Sequence, residues 1–198
     1  MKVVIIKYNA GNIFSVNYGL KRIGIDAEIT GDIEKIRNAD KVIFPGVGEA
    51  RTTMAYLREY GLDNVIKSLQ QPVLGICIGM QLLCSYSEEG NTECLGVFDE
   101  KVMKFSPQEP TIKVPHMGWN TIQHNNNKLF NGIRQEDYMY YVHSYYAGVG
   151  KNTIAATDYV QPFSAALQKD NFYAVQFHPE KSGAVGEKIL ENFIKLIM

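Results

Sequence analysis

Long apolar runs are missing from this sequence. In the opening MKVVIIKYN only Val3 to Ile6 are consecutively apolar, far short of the about 20 residues a membrane helix needs and too few for a secretory signal. Cysteine is scarce. Cys77, Cys84 and Cys94 make an odd number, with no C-x-x-C pair and no cysteine–histidine spacing suited to zinc. That argues against a disulfide framework or a metal centre and leaves a reduced, cytoplasmic protein as the expectation. Excess charge is missing as well. Lys and Arg total 20 against 21 Asp and Glu, for a net charge of -1, so no basic stripe points to nucleic acid. Apolar residues make up 45% of the 198. A chain of this size is expected to form one domain over residues 1–198 and to bury roughly two-thirds of its unfolded surface.

What is present is alternation. KVVII, IDAEI, KVIF and PVLGI read as strands, and amphipathic segments separate them. Ile13, Val16, Leu20 and Ile23 fall on one helical stripe that Gly24 stops. A short helix is expected within 32–39, and a helix over 49–69 that breaks near Gly61. Strand–helix alternation predicts an α/β fold: a mostly parallel sheet with helices on both faces. After Gly96 the pattern changes to short strands (VFDEKVMKF, WNTIQ, YMYYVHS, TIAATD, FSAALQ), expected as antiparallel additions to the main sheet. FYAVQFH is a last strand, and AVGEKILENFIKLIM a closing amphipathic helix.

In QPVLGICIGMQLL, Cys77 stands where a strand runs directly into a helix, with Gly75 and Gly79 two residues to either side. This G-x-C-x-G is the thiol counterpart of the nucleophile elbow, which holds its central residue strained above a sheet edge. A helix starting at Ile78 would point free N–H groups at the sulfur and favour thiolate. The segment alone also fits a small core residue in a tight turn. Of the four histidines, His124 lies in an Asn-rich loop, and His116 and His143 within strand candidates. His178 begins HPEKS after the last strand. Extended geometry before Pro179 would aim His178 and Glu180 the same way, so the carboxylate could set the imidazole tautomer. A polar strand exit on the surface is the alternative. For an oxyanion, the N–H of Ile78 is one donor candidate. Val47 or Gly48 in PGVG, at the same sheet edge, is a second, unless that loop is an ordinary turn.

PGVG, GICIGMQLL, VPHMGWN, YYVHSYY and VQFHPEKS, in this order over almost the whole chain, resemble the class I (triad-type) glutamine amidotransferases. Within that class, PHMGWN and HPEKS most resemble the glutaminase subunits of imidazole glycerol phosphate synthase. The resemblance implies a triad of Cys77, His178 and Glu180 that hydrolyses glutamine through a thioester, with no cofactor and no metal. It implies glutamine contacts at Gln81 and Glu89, and at Ser144 and Tyr145 chiefly through backbone; without it, Gln81 and Glu89 would pass for solvated surface. It implies that the peptide at Val47 must reorient to complete an oxyanion hole. It further implies docking on a (β/α)8 cyclase subunit that takes ammonia through its barrel, with Asn12, Trp119, Tyr140 and Lys181 near the contact. Asn12 could equally be a helix N-cap, and Trp119 a core anchor.

One segment departs from the family. KYNAGN stands where many members carry an Asp-Tyr-Gly type segment, so Lys7 and Asn9 alter charge and backbone freedom near the expected contact. Three other functions compete. A paralogue could supply ammonia for amino or amidino sugar synthesis with the same triad. A γ-glutamyl or peptide hydrolase could use the same fold, although PHMGWN argues against it. A non-catalytic scaffold for a barrel partner would not need an intact Cys77, His178 and Glu180. Cys84 and Cys94 are expected to be structural.

Overall fold

The computed structural model describes residues 1–8, 12–46, 48–109 and 111–196; Val47 and Asn9 lie outside the described residues. The first half alternates as expected: β1 (Val3–Ile6), α1 (Ile13–Arg22), β2 (Glu28–Thr30), α2 (Ile33–Arg37), β3 (Lys41–Phe44), α3 (Ala50–Glu59), α4 (Leu62–Ser68), β4 (Val73–Ile76) and α5 (Ile78–Leu83). The second half is mainly strand. It comprises β5 (Tyr86–Ser87), β6 (Thr92–Glu93), β7 (Lys101–Lys104), β8 (His116–Thr121) and β9 (Gln123–His124). Then follow β10 (Tyr138–His143), β11 (Tyr145–Ala147), β12 (Thr153–Asp158), β13 (Pro162–Lys169) and β14 (Phe172–Val175). Helix α6 (Gly183–Lys195) closes the chain, and 3-10 turns occupy Lys128–Phe130 and Pro179–Lys181.

The main sheet runs β2-β1-β3-β4-β14-β13-β12-β9. From β2 to β14 every pairing is parallel, and β13, β12 and β9 extend it antiparallel. Its inner parallel strands β1, β3 and β4 are buried on both faces, which is why they read as nearly unbroken apolar runs rather than alternating ones. The two-residue period still sorts them. Val3 and Ile5 join the core beneath α1 and α6, while Val4 and Ile6 join the core beneath α3, α4 and α5. Helix α1 contributes Ile13, Val16 and Leu20 to the first core; Ile23, just past its end, packs on the rim.

The antiparallel segments do not all join the main sheet, contrary to the sequence-based expectation. β8 and β10 pair only with each other, and β11, β7, β5 and β6 form a separate four-stranded sheet. The ribbon of β8 and β10 buries Met139, Tyr141 and His143 and leaves Met117, Trp119 and Tyr138 exposed, so it packs as a one-sided flap rather than as an interior strand pair. β5, β6 and β11 have only two or three residues each, too few for periodicity to reveal.

The adjacent parallel strands β1, β3, β4 and β14 all end at one edge of the sheet. There the chain continues towards Tyr8, Pro45 and Gly46, Cys77 and His178 respectively. Open α/β sheets place their ligands at this edge.

Candidate active site

The strand-to-helix join at Cys77 is as tight as its glycines require. Cys77 has φ 55 and ψ -109, a conformation rare for a non-glycine residue. A Cβ on Gly79 would lie 2.0 Å from the carbonyl oxygen of Phe44. Only a bare backbone lets α5 press on β3 so closely. The Cys77 N–H donates to the Val175 carbonyl at 2.8 Å, which ties the elbow to β14. Burial is nearly complete, with Cys77 7% exposed.

His178 is the third residue after β14, fully buried. Its ring Nδ1 lies 2.8 Å from Glu180 Oε1. The route differs from the expected one: Pro179–Lys181 is a 3-10 turn, and only His178 is extended. The tight turn, rather than strand alternation, swings the carboxylate under the ring, and the pair is buried, not a surface strand exit. Because the carboxylate can only accept, Nδ1 carries the proton and Nε2 is left for the other side. Nε2 has no hydrogen-bond partner, and the Cys77 thiol lies close enough to act on the charge of the ring. Burial lowers the pKa of His178, but the contact and charge of Cys77, followed by those of Glu180, outweigh it and raise the value to about 10. The arrangement favours an imidazolium between a sulfur and a carboxylate.

Asn12 requires a correction. It is only 7% exposed, and its Nδ2 donates to Glu180 Oε1 at 2.6 Å. It stands at the N-cap position of α1, yet its side chain makes no capping bond. Asn12 therefore supports the carboxylate from inside and is not a surface contact. Its 3.3 Å approach to His178 Nδ1 is not a second donation, since that nitrogen already bears a hydrogen. The main chain holds the turn as well. Arg22 Nη2 donates to the Glu180 carbonyl at 2.9 Å, and Ser182 Oγ to the His178 carbonyl at 2.6 Å.

A cleft of about 350 Å³ opens over the sulfur, lined by Gly48, Cys77, Ile78, Gln81, Glu89, Pro115 and Val142 to Tyr145. It gathers the predicted substrate contacts Gln81, Glu89, Ser144 and Tyr145 with Gly48 and Ile78. The N–H of Ile78, first in α5, has no acceptor within that helix. Glu89 is half-buried; burial raises its pKa, and the Ala50 N–H, donating to Oε2 at 2.8 Å, opposes this. Gln81 is not the solvated residue its local sequence suggests. It is 3% exposed and its Nε2 donates at 2.9 Å to both the Tyr145 carbonyl and Gln176 Oε1. The Tyr145 carbonyl also receives His143 Nδ1 at 2.8 Å, so both its lone pairs are taken and it has none left for a ligand.

His116 and His143, the other buried histidines, form a neutral relay. Burial lowers them to about 4 and about 3. His143 Nδ1 must donate to the Tyr145 carbonyl, so its Nε2 accepts from His116 Nδ1 at 2.9 Å. His116 Nε2 then accepts from Asn120 Nδ2 at 3.3 Å. Neither can act as a base near neutral pH.

Trp119 and Tyr140 face each other across the flap, ring centroids 5.9 Å apart, and Lys181 Nζ lies 6.0 Å from the Tyr140 ring. Trp119 is 55% exposed, which removes the core-anchor alternative. Tyr140 also touches the site through backbone: its carbonyl accepts the His178 N–H at 2.9 Å, and its N–H donates to Ser182 Oγ at 3.0 Å. Sequence reasoning missed Gln176 and Tyr8, whose hydroxyl donates to the Pro45 carbonyl. The one available signal for Gln176 was a polar residue interrupting the apolar run FYAVQF.

Residues 6–196 match the family described as glutamine amidotransferase class-I. An imidazole glycerol phosphate synthase subunit HisH from Bacteroides fragilis is 61% identical over 196 residues, covering 99% of this chain and 100% of the relative. Proteins of the same name from Pasteurella multocida and Escherichia coli are each 46% identical, over 98% and 99% of the chain and 98% and 100% of theirs. Among solved structures, a glutamine amidotransferase superposes with TM-score 0.74 at 18% identity, covering 97% of both chains. PurLQS from Thermotoga maritima gives 0.70 at 14%, covering 98% of this chain and 97% of that one; at such identities the likeness is one of fold.

Proposed function

Starting from the chain's membership of the class I glutamine amidotransferases, we propose that Cys77, His178 and Glu180 carry out its glutamine hydrolysis and that a cyclase docked on the β8–β10 flap takes up the ammonia. The enzyme is a glutamine-hydrolysing amidotransferase that acts as the glutaminase subunit of imidazole glycerol phosphate synthase in histidine biosynthesis. The observation that carries the residue assignment is one buried imidazole, bonded to Glu180 through Nδ1, whose charged form the neighbouring Cys77 and Glu180 favour together.

Glutamine enters the cleft with its side-chain amide over Cys77. The thiolate attacks the amide carbon, and the new oxyanion meets the N–H of Ile78, with Gly48 beside it in the cleft as the candidate second donor. The His178 imidazolium gives its Nε2 proton to the amide nitrogen, the C–N bond breaks, and ammonia leaves behind a γ-glutamyl thioester. His178, now neutral, takes a proton from water as the water attacks the thioester. Glutamate departs and the thiolate and imidazolium are restored. Glu180, held by Asn12, keeps Nδ1 protonated throughout. Gln81 and Glu89 hold the substrate's α-amino end, with the N–H side of Ser144 and Tyr145 available to its carboxylate.

Ammonia released into neutral water would be mostly protonated and lost as a nucleophile, so a (β/α)8 cyclase subunit must seal the exit. The exposed Trp119, with Tyr140 and Lys181, is the anchor of that contact in this reading. Docking there acts one backbone hydrogen bond from His178, which gives the partner a physical handle on the catalytic ring. No helix among the described residues is long and apolar enough to cross a membrane, and its three free thiols suit a reducing, cytoplasmic setting. The test uses the assembled synthase. Cys77→Ala should abolish glutamine-dependent product formation and leave ammonia-dependent formation intact; glutamine turnover by that variant refutes the assignment.

A further inference from the structure

Resting on that assignment of the nucleophile, we propose that Gln176 is an N–H donor to the Cys77 sulfur, held in that orientation by the Gln81 amide. Gln176 is the first residue after β14, with no exposed surface, and its Nε2 lies 3.7 Å from Cys77 Sγ. That is hydrogen-bond range for the large sulfur atom.

The direction of this contact follows from the backbone. A carbonyl oxygen can only accept, so the Tyr145 carbonyl at 2.9 Å requires Gln81 to present its NH2 side there. The same nitrogen lies 2.9 Å from Gln176, which must answer with its oxygen. Gln176 then has its NH2 on the remaining side, against Cys77. Flipping either amide would set like groups against each other inside the core and break at least one buried bond. Gln81 is thereby left with its Oε1 as the acceptor available to the cleft. The chemistry is complementary at both ends of the catalytic cycle. Donation to sulfur favours the thiolate that attacks the amide, and it favours the same thiolate when it leaves the thioester. Gln176 does this without a titrating group of its own. Around the sulfur the other ionisable groups are Tyr8 beyond β1 and His178 beyond β14, with Glu180 behind the ring, neutral His143 from β10, and Glu89 and Tyr145 across the cleft.

The experiment is alkylation of Cys77 by iodoacetamide across pH, in wild type, Gln176→Leu and Gln176→Glu, with adducts located by peptide mass mapping. Cys84 and Cys94 react slowly in comparison, because burial raises Cys84 well above the usual thiol range and Cys94 to about 12. At pH 7 the leucine variant is expected to react about tenfold more slowly, the size of one hydrogen bond to a charged group, and the glutamate variant more slowly still. Both should approach the wild-type rate at high pH, where the thiol ionises unaided. Wild-type rates at pH 7, or an equal slowing at every pH, overturn the proposal. If neither variant folds, the side-chain NH2 resonances of Gln176 in 15N-labelled wild type decide: they should shift with the midpoint of Cys77 alkylation, and resonances indifferent to that midpoint overturn it. None of these readouts requires glutamine. A failure here with Cys77→Ala still inactive on glutamine therefore removes only the role of Gln176.

Discussion

Gly19→Ala is the most revealing single change, because it is expected to damage activity while leaving stability almost untouched. Gly19 lies inside α1, where a Cβ would fall 2.9 Å from Glu180 Cβ and 3.3 Å from Glu180 Cα. Carbon atoms in ordinary contact are about 3.5–4.0 Å apart, so the 3-10 turn must retreat by at least about 0.6 Å. The His178–Glu180 bond starts at 2.8 Å, so a retreat of that size along the bond carries it past the about 3.2 Å of ordinary N–H···O bonds and weakens it. Overpacking costs about 1–3 kcal/mol, and replacing glycine within a helix returns about 1 kcal/mol. Those terms nearly cancel. In the assembled synthase, kcat for glutamine should fall about ten- to a hundredfold, a modest share of what orienting a catalytic histidine can contribute. KM should change little, because the cleft is on the far side of the imidazole, and ammonia-dependent synthesis should be retained. Full glutamine turnover by a variant with wild-type Tm would show that Glu180 need not be held where it is.

Acid should unfold the protein through a different pair. His116 and His143 are neutral when folded and lowered to about 4 and about 3, whereas the unfolded chain binds protons on them below its ordinary value near 6.5. The unfolded state therefore binds more protons, and stability should fall as pH drops from about 6.5 towards 4, by a few kcal/mol. His143→Gln should flatten that slope in thermal melts; an identical slope would refute the assignment. His178 has the opposite sign. Its raised value contributes stability that is complete below about 6.5 and lost as pH rises through about 10, so alkaline melts should be shallower in His178→Asn. Trp119→Ala should weaken binding to the cyclase about thirtyfold by calorimetry while leaving Cys77 alkylation unchanged. An unaltered Kd would move the interface elsewhere.

The parts of the site legible in the sequence were those written in local pattern. Cys77 between its glycines carries its own explanation, because a strand entering a helix without a loop needs a bare backbone where α5 meets β3. His178 and Glu180 were legible as a pair, although the turn that joins them was not, since proline after an extended residue fits either geometry. Gln81 was misread because helical periodicity assumes one wet face, and α5 is buried along all six of its residues. The contacts that Asn12 and Gln176 make could not be read. Their partners lie 168 and 99 positions away, and nothing in a neighbouring residue announces such contacts. The flap of β8 and β10 was read as strand, but whether a strand joins a sheet or stands apart depends on what covers its faces.

The saturated oxygen at position 145 has a consequence for how this site can evolve. It belongs to the main chain, so no substitution at that position removes it, and the polarity of the two glutamine amides and the two neutral imidazoles is inherited from an atom common to all twenty residue types. The tyrosine ring is therefore free to drift with whatever the cleft must accommodate, while the wiring behind it stays in register. To reverse the wiring, evolution would have to alter the side chains that lean on that oxygen, Gln81 or His143, since the peptide itself offers nothing to change.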